Sequence, residues 1–196
     1  MQIDRAFLLK GVLKMKHSGT QTIVTPRLTL RRFNSGDAEQ MFKNWTNDSR
    51  VAKYVTWQPH GNIENTKSLL EMWIEGYKDE NYYNWAIEYD GRVIGNISAV
   101  EMNDKLECAT IGYCMGFDYW NKGIMTEALG AVIRYLFDTV GVHRIQSEHD
   151  TMNPASGKVM SKCGMIYEGT KRKMIKNHDG EWIDLAQYAI LREDYK

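Results

Sequence analysis

The hydrophobic pattern is strongest between residues 123 and 140. Leu129, Val132, Ile133, Leu136, Phe137 and Val140 recur at i, i+3, i+4, i+7, i+8 and i+11. That spacing puts them on one face of a helix packed against a core. The stretch Thr110–Met115 ahead of it reads as a strand, and the connection between them, Gly116–Asn121, is short. This strand–loop–helix unit organises the chain.

Period-two patterns dominate elsewhere. Ile23 to Phe33 reads as one strand, with Leu28 and Leu30 on one face and Thr29 and Arg31 on the other. Asn34, Ser35 and Asp37 offer caps for a helix carrying Ala38, Met41, Phe42 and Trp45. A loop spans Val55–Gly61, and Asn62 caps a second helix with Thr66, Leu69, Leu70, Trp73 and Tyr77 on one side. Tyr83, Trp85, Ile87 and Tyr89 alternate with Asn84, Ala86, Glu88 and Asp90 as a strand, and Asp90-Gly91 is a tight hairpin turn. Strands follow over Val93–Val100 and Leu106–Met115, with a turn at Asn103-Asp104. After the long helix, His143–His149 reads as a short strand, Asn153–Cys163 as a helix ended by Gly164, and Met165–Lys176 with Trp182–Leu191 as a final hairpin.

Composition narrows the class. The 196 residues suit one domain with a sizeable core. Lys+Arg (25) equals Asp+Glu (25), so no net charge draws the chain to nucleic acid or a membrane surface. Cys108, Cys114 and Cys163 are odd in number and lack metal-ligand spacing, which suits a reduced, cytoplasmic setting and no metal. No apolar run approaches the roughly 18 residues of a membrane span. The division expected is an N-terminal extension, 1–21, followed by one domain, 22–196. Within the extension, Phe7–Leu13 is apolar but interrupted by Lys10. It reads as an added helix or strand that could dock a second subunit, with a disordered leader as the alternative and a signal peptide disfavoured.

Chemistry is concentrated at Trp120-Asn121-Lys122-Gly123-Ile124-Met125-Thr126-Glu127. A helix that opens on Gly directs unpaired N–H groups out of its first turn, a ready phosphate site. Gly123 is followed by Ile124, not by the Lys-Ser/Thr of a Walker loop, and a dinucleotide fingerprint would need three spaced glycines. The pyrophosphate of coenzyme A remains the common reading.

Trp120-x-x-Gly123-x-Met125 with Thr126-Glu127-Ala128-Leu129 resembles motif A of the GNAT N-acetyltransferases, and more narrowly the RimJ/RimL-type branch that acetylates ribosomal-protein N-termini. Met125 departs from the branch's Gly/Ala at a position that supplies mainly a backbone N–H. Asn153-Pro154-Ala155-Ser156 through Lys162-Cys163-Gly164-Met165 resembles motif B of the same branch, and Thr25-Pro26-Arg27-Leu28 resembles its opening strand. The pairing and order of the motifs, over roughly residues 24 to 192, carry the resemblance.

The resemblance implies an α/β (α+β) GNAT fold: a mixed, mostly antiparallel sheet of about seven strands, flanked by about four helices and splayed between strands 4 and 5. It implies acetyl-CoA as co-substrate and direct acetyl transfer to a primary amine, foremost the α-amine of a protein or peptide N-terminus, with ribosomal-protein N-termini among them. A small amine such as a polyamine or an antibiotic, or a non-catalytic acyl-CoA-binding regulator, are the alternatives. The chain is expected as a monomer or homodimer.

Residue by residue, Gly123, Ile124, Met125 and Thr126 would hold the pyrophosphate, with Lys122 and Lys158 as cations. Tyr113, Cys114 and Met115 would offer backbone groups to pantetheine as an added strand does, and Asn153 would bond the same arm. Ser156 would lie near the thioester sulfur as acid or positioning donor. Many family members place a Glu where Thr110 stands here, leaving Glu107, three residues earlier, to act through water. In a regular strand it faces the other way, and a bulge could undo that. Tyr54 and Trp57 would wall the acceptor site. Cys114 reads as a small buried thiol rather than a covalent nucleophile. No Gly-x-Ser-x-Gly is present and no histidine stands in a triad-like signature.

Overall fold

The computed structural model describes residues 15–195. The apolar segment Phe7–Leu13 lies outside them. The described residues form one eight-stranded sheet, in the order β1-β2-β3-β4-β5-β6-β8-β7, and five α-helices.

The chain enters through residues 15–21, which are stitched to the domain. Met15 is buried, the Lys16 N–H donates to Val140 O at 2.8 Å, and Ser18 Oγ meets Tyr135 Oη at 2.8 Å. The predicted opening strand is two: β1 (Ile23–Val24) and β2 (Leu28–Arg31), paired antiparallel. Pro26 lacks a ladder N–H, so the chain turns there instead of running on. Helix α1 (Ala38–Met41) runs into a π turn, Phe42–Thr46, that buries Trp45. Helix α2 (Ser49–Ala52), capped by Asp48, was not foreseen. Helix α3 (Ile63–Gly76) begins at Asn62, whose side chain accepts from Glu64 N.

A meander follows. β3 (Tyr83–Tyr89) turns through Asp90 and Gly91, both at positive φ, into β4 (Arg92–Asn103), and β4 pairs with β5 (Cys108–Met115). Helix α4 (Ile124–Tyr135), extended by a π turn over Leu136–Val140, crosses to β6 (Arg144–Asp150), which lies parallel to β5. Helix α5 (Pro154–Lys162) ends in a Schellman motif: Gly164 is at φ 84°, its N–H meets Ser161 O, and Met165 N–H meets Met160 O. β7 (Ile166–Lys176) and β8 (Trp182–Leu191) close the sheet.

Two cores hold the layers. The larger lies between one sheet face and α4, and takes in Leu129, Val132, Ile133, Leu136, Phe137 and Val140, the six residues of the helical stripe. The smaller packs Phe33, Met41, Trp45, Val51 and Leu70 on the opposite face over Ala86 and Val93.

Candidate active site

The site is built where β5 and β6 part. Their pairing runs from Cys108↔Arg144 to Ile111↔Ser147 and, among the described residues, stops there. Gly112–Met115 continue beside β4 alone. At that same level the β4–β5 register shifts between Ala99 and Glu101. A bulge sharpens the local twist and bends the strand, which turns the end of β5 away from β6 and opens a wedge. The splay predicted between strands 4 and 5 is this one, renumbered because Pro26 divides the first strand.

The wedge leads to the N-terminus of α4. Gly123 is its N-cap at φ 72°, and among the described residues no side chain caps the helix. The first-turn N–H groups therefore point outward with the positive end of the helix dipole behind them. Ile124 and Met125 are buried in the large core at 1% and 6% exposure. The Met125 side chain thus packs inward and leaves only its backbone at the tip. Trp120 Nε1 donates to Met115 O at 2.7 Å and ties the loop to the end of β5.

Across the wedge stands α5. Asn153 Oδ1 accepts from Ser156 N at 3.4 Å as an N-cap, which leaves its amide nitrogen for another partner. Tyr113 Oη lies 2.9 Å from Ser156 Oγ and donates to Ser156 O at 3.1 Å, bridging β5 to α5. Burial, only partly offset by the Ser156 contact, pushes the Tyr113 phenol well above its ordinary range. Cys114 Sγ donates to Asn96 Oδ1 at 3.0 Å, and burial pushes this thiol up to about 12.

A cleft of about 320 Å³ joins these parts. Of the residues expected from the sequence, Tyr54, Tyr113, Cys114, Met115, Gly123, Ile124, Met125, Thr126, Asn153, Ser156 and Lys158 line it. Lys122 and Trp57 do not. Lys122 is exposed with Nζ 5.6 Å from the Tyr119 ring centroid, and Trp57 packs on the smaller core. Lys162, one turn beyond Lys158, lines the cleft and was missed; its i+4 spacing on α5 was the available signal.

Glu107 must be set aside as a base. It sits at positive φ (48°) in the turn before β5, and its carbonyl accepts from His143 N. That is the opposite end of the strand from Tyr113, roughly 20 Å away at about 3.3 Å per residue. Just past the parting of the strands stands the carboxylate of Glu148. It follows Ser147, the last β6 residue paired with β5. Thr110 and Gln146 share its sheet face and are joined by a 3.0 Å hydrogen bond, Gln187 reaches Gln146 at 3.3 Å, and Lys171 pairs with Glu148. This half of the face is polar where the helix-covered half is apolar. Among the described residues no His/Cys/Asp/Glu group could hold a metal ion and no helix is long and apolar enough to cross a membrane.

An uncapped helix tip, a parted strand edge and two lysines on the opposite wall suit a ligand with phosphates at one end and an extended amide-bearing arm at the other. The comparisons agree. A family model for the acetyltransferase (GNAT) domain matches residues 27–166. The uncharacterised N-acetyltransferase YnaD of Bacillus subtilis is 31% identical over 175 residues, 88% of this chain and 98% of that protein. The ribosomal protein uS5-alanine N-acetyltransferase of Escherichia coli is 27% identical over 182 residues, 88% and 92% of the two chains. A solved GNAT-family acetyltransferase from Bacillus anthracis is 31% identical, with a TM-score of 0.77 over 88% of this chain and 99% of that one.

Proposed function

The chain belongs to the GNAT acetyltransferase family and is an acetyl-CoA-dependent N-acetyltransferase, and on that premise we propose that its acceptor is the α-amine of a peptide or protein N-terminus, ribosomal proteins among them. Acetyl-CoA supplies the activated acetyl thioester. The chain supplies orientation, which can account for most of the rate when two substrates are held together.

In this reading the N–H groups of Gly123 to Thr126 hold the pyrophosphate, with Lys158 and Lys162 on the facing wall. The freed edge of Tyr113–Met115 and the Asn153 amide align the pantetheine arm. Ser156, fixed by Tyr113, holds a proton for the leaving sulfur. The acceptor approaches from the polar sheet face, where Glu148 can hold an ammonium or accept its proton through water. Tyr54, on the cleft wall, and Trp57 beside it bound the entry.

The observation that carries the reading is the wedge between β5 and β6, with the uncapped tip of α4 at one side and Ser156 at the other. The uS5-alanine relative supports the α-amine. Such an acceptor also implies a cytoplasmic setting. The test is thiol release from acetyl-CoA with a panel of acceptors: N-terminal peptides of ribosomal proteins, polyamines and aminoglycosides. Turnover confined to the polyamines or the aminoglycosides refutes the proposed acceptor and selects the small-amine alternative.

A further inference from the structure

The phosphate-loop motif contains no guanidinium, yet the fold delivers one to it. Arg27 stands in the turn between β1 and β2, 100 residues from Glu127. Its Nε donates to Glu127 Oε2 at 2.6 Å and its backbone N–H to Glu127 Oε1 at 3.0 Å. Its Nη1 donates to the Lys122 carbonyl at 3.0 Å. Its Nη2 lies 3.6 Å from the point a Cβ on Gly123 would occupy, and the side chain keeps 41% of its exposure.

An electrostatic conflict is resolved by this arrangement. Glu127 places a carboxylate in the first turn of α4, one turn from Gly123. Left alone, that charge would oppose an anion at the helix tip. Burial pushes the Glu127 carboxyl up, but donors from Thr25 (2.6 Å) and Arg27 outweigh it and hold the group ionised below its ordinary range. The same donors draw it toward the β1–β2 turn. With Nε committed to Glu127 and Nη1 to the loop, the remaining guanidinium edge is turned toward Gly123. A planar set of N–H donors matches phosphate oxygens better than an ammonium does.

We propose that Arg27 reads the phosphates of coenzyme A: braced by Glu127 and the Lys122 carbonyl, it presents its free edge to a phosphate bound at Gly123–Thr126 and makes the chain prefer the full cofactor to phosphate-free fragments. The proposal rests on the cofactor site described above.

Calorimetric dissociation constants for coenzyme A, 3′-dephospho-coenzyme A and pantetheine, on the wild type and on Arg27→Gln, test it. Arg27→Gln should weaken coenzyme A about tenfold, the low end for a charge-assisted hydrogen bond because the residue is partly exposed. Pantetheine should change by less than about twofold. A penalty that vanishes with the dephospho ligand assigns the 3′-phosphate. One that persists there and vanishes with pantetheine assigns the pyrophosphate. An equal penalty on all three ligands, or none, overturns the proposal and leaves Arg27 a brace for the loop. A wild type that binds none of the three overturns the cofactor site along with it. Arg27→Lys keeps the charge opposite Glu127 and carries the comparison if the Gln variant does not fold; its penalty should be smaller and confined to the same ligands.

Discussion

Tyr113 and Ser156, on the two elements that flank the wedge, meet at 2.9 Å through their hydroxyls. The Tyr113 phenol stays protonated over any working pH, and its single proton, which lies toward Ser156 O, can swing across to Ser156 Oγ. Ser156 then has its own proton to give to a third group in the cleft. A serine that merely capped a turn would not need a buried tyrosine reaching across from another element to fix it.

Ser156→Ala should therefore lower kcat on the order of tenfold to a hundredfold, the modest end of acid catalysis, while the cofactor's dissociation constant stays nearly constant. Tyr113→Phe should give a smaller loss in kcat, because Ser156 keeps its hydroxyl but not its orientation. Steady-state kinetics beside calorimetry decide the matter. Unchanged turnover in Ser156→Ala would leave the residue a first-turn hydroxyl.

Gly123 combines two requirements, positive φ and an open helix tip. Gly123→Ala should cost about 1–2 kcal/mol from the left-handed backbone alone and keep a response to coenzyme A. Gly123→Glu adds a carboxylate where phosphate is expected to bind. At a hundred times its dissociation constant the ligand should stabilise the wild type by about 2.7 kcal/mol, and the Glu variant by nothing. Melting curves with and without coenzyme A read both effects; a ligand shift that survives in Gly123→Glu places the phosphates elsewhere.

How far the sequence carried depends on the range of the interactions involved. The stripe from Leu129 to Val140, the alternation of Tyr83–Tyr89 and the Asp90-Gly91 turn are local patterns, and the fold follows them. Local reasoning failed where distant partners decide. Glu107 looked close to Thr110 in sequence, but a strand of eight residues carries it to the far end of the sheet. Arg27 joins the phosphate loop through Glu127 and Lys122, and neither contact leaves a trace in residue spacing. Met125 departs from the small residue of the family pattern, and the helix accommodates it by turning its side chain into the core.

Arg31 joins its near neighbour Asp37 to the distant Glu88 in a second device, this one for stability. Asp37 is 3% exposed and takes Arg31 Nη1 and Nη2 at 2.8 and 2.9 Å, while Arg31 Nε reaches Glu88 at 2.7 Å. The Asp37 hydrogen bonds, opposed by burial and helped by Glu88, raise the guanidinium far above its ordinary value. Removing one partner of a buried pair strands the other charge. Asp37→Ala should lower unfolding free energy by about 3–5 kcal/mol in urea, and also loses the capping box with Asn34. Lying outside the cleft, the change should leave coenzyme A affinity intact. A loss below about 1 kcal/mol would show the pair to be solvated.

Cys114 lines the cleft but should not carry the acetyl group. Its thiol, pushed up by burial to about 12, holds roughly one thiolate in ten thousand molecules at pH 8. Cys114→Ala should keep turnover within a few-fold, and no acetylated enzyme should appear by mass spectrometry after acetyl-CoA alone. A mass increase of one acetyl group at Cys114 would restore the two-step route.

The acceptor's own acidity gives the last prediction. An α-amine has an unperturbed pKa of about 7.7–8.0, against about 10.4 for a lysine side chain. Near pH 7.5 roughly a third of α-amines are neutral, but only about one lysine in a thousand. With Glu107 at the far end of β5, Glu148 stands just past the parting of the strands, and it is already paired with Lys171. Engaged by Lys171, it is not a free proton acceptor. It can orient an ammonium and pass its proton to water, which suffices for an amine already partly neutral and not for lysine. Two peptides separate the cases, one with a free N-terminus and blocked lysine, the other the reverse, assayed with acetyl-CoA from pH 6 to 9. The N-terminal peptide should be preferred at least tenfold at pH 7.5, with kcat/KM rising through about pH 7–8 and levelling above it as the amine deprotonates. Glu148→Gln should raise KM for this peptide several-fold while the pH at which the rate levels stays put, since that pH belongs to the substrate. Preference for the lysine peptide would sink the α-amine assignment, and a levelling point that moves in Glu148→Gln would make Glu148 the titrating base instead.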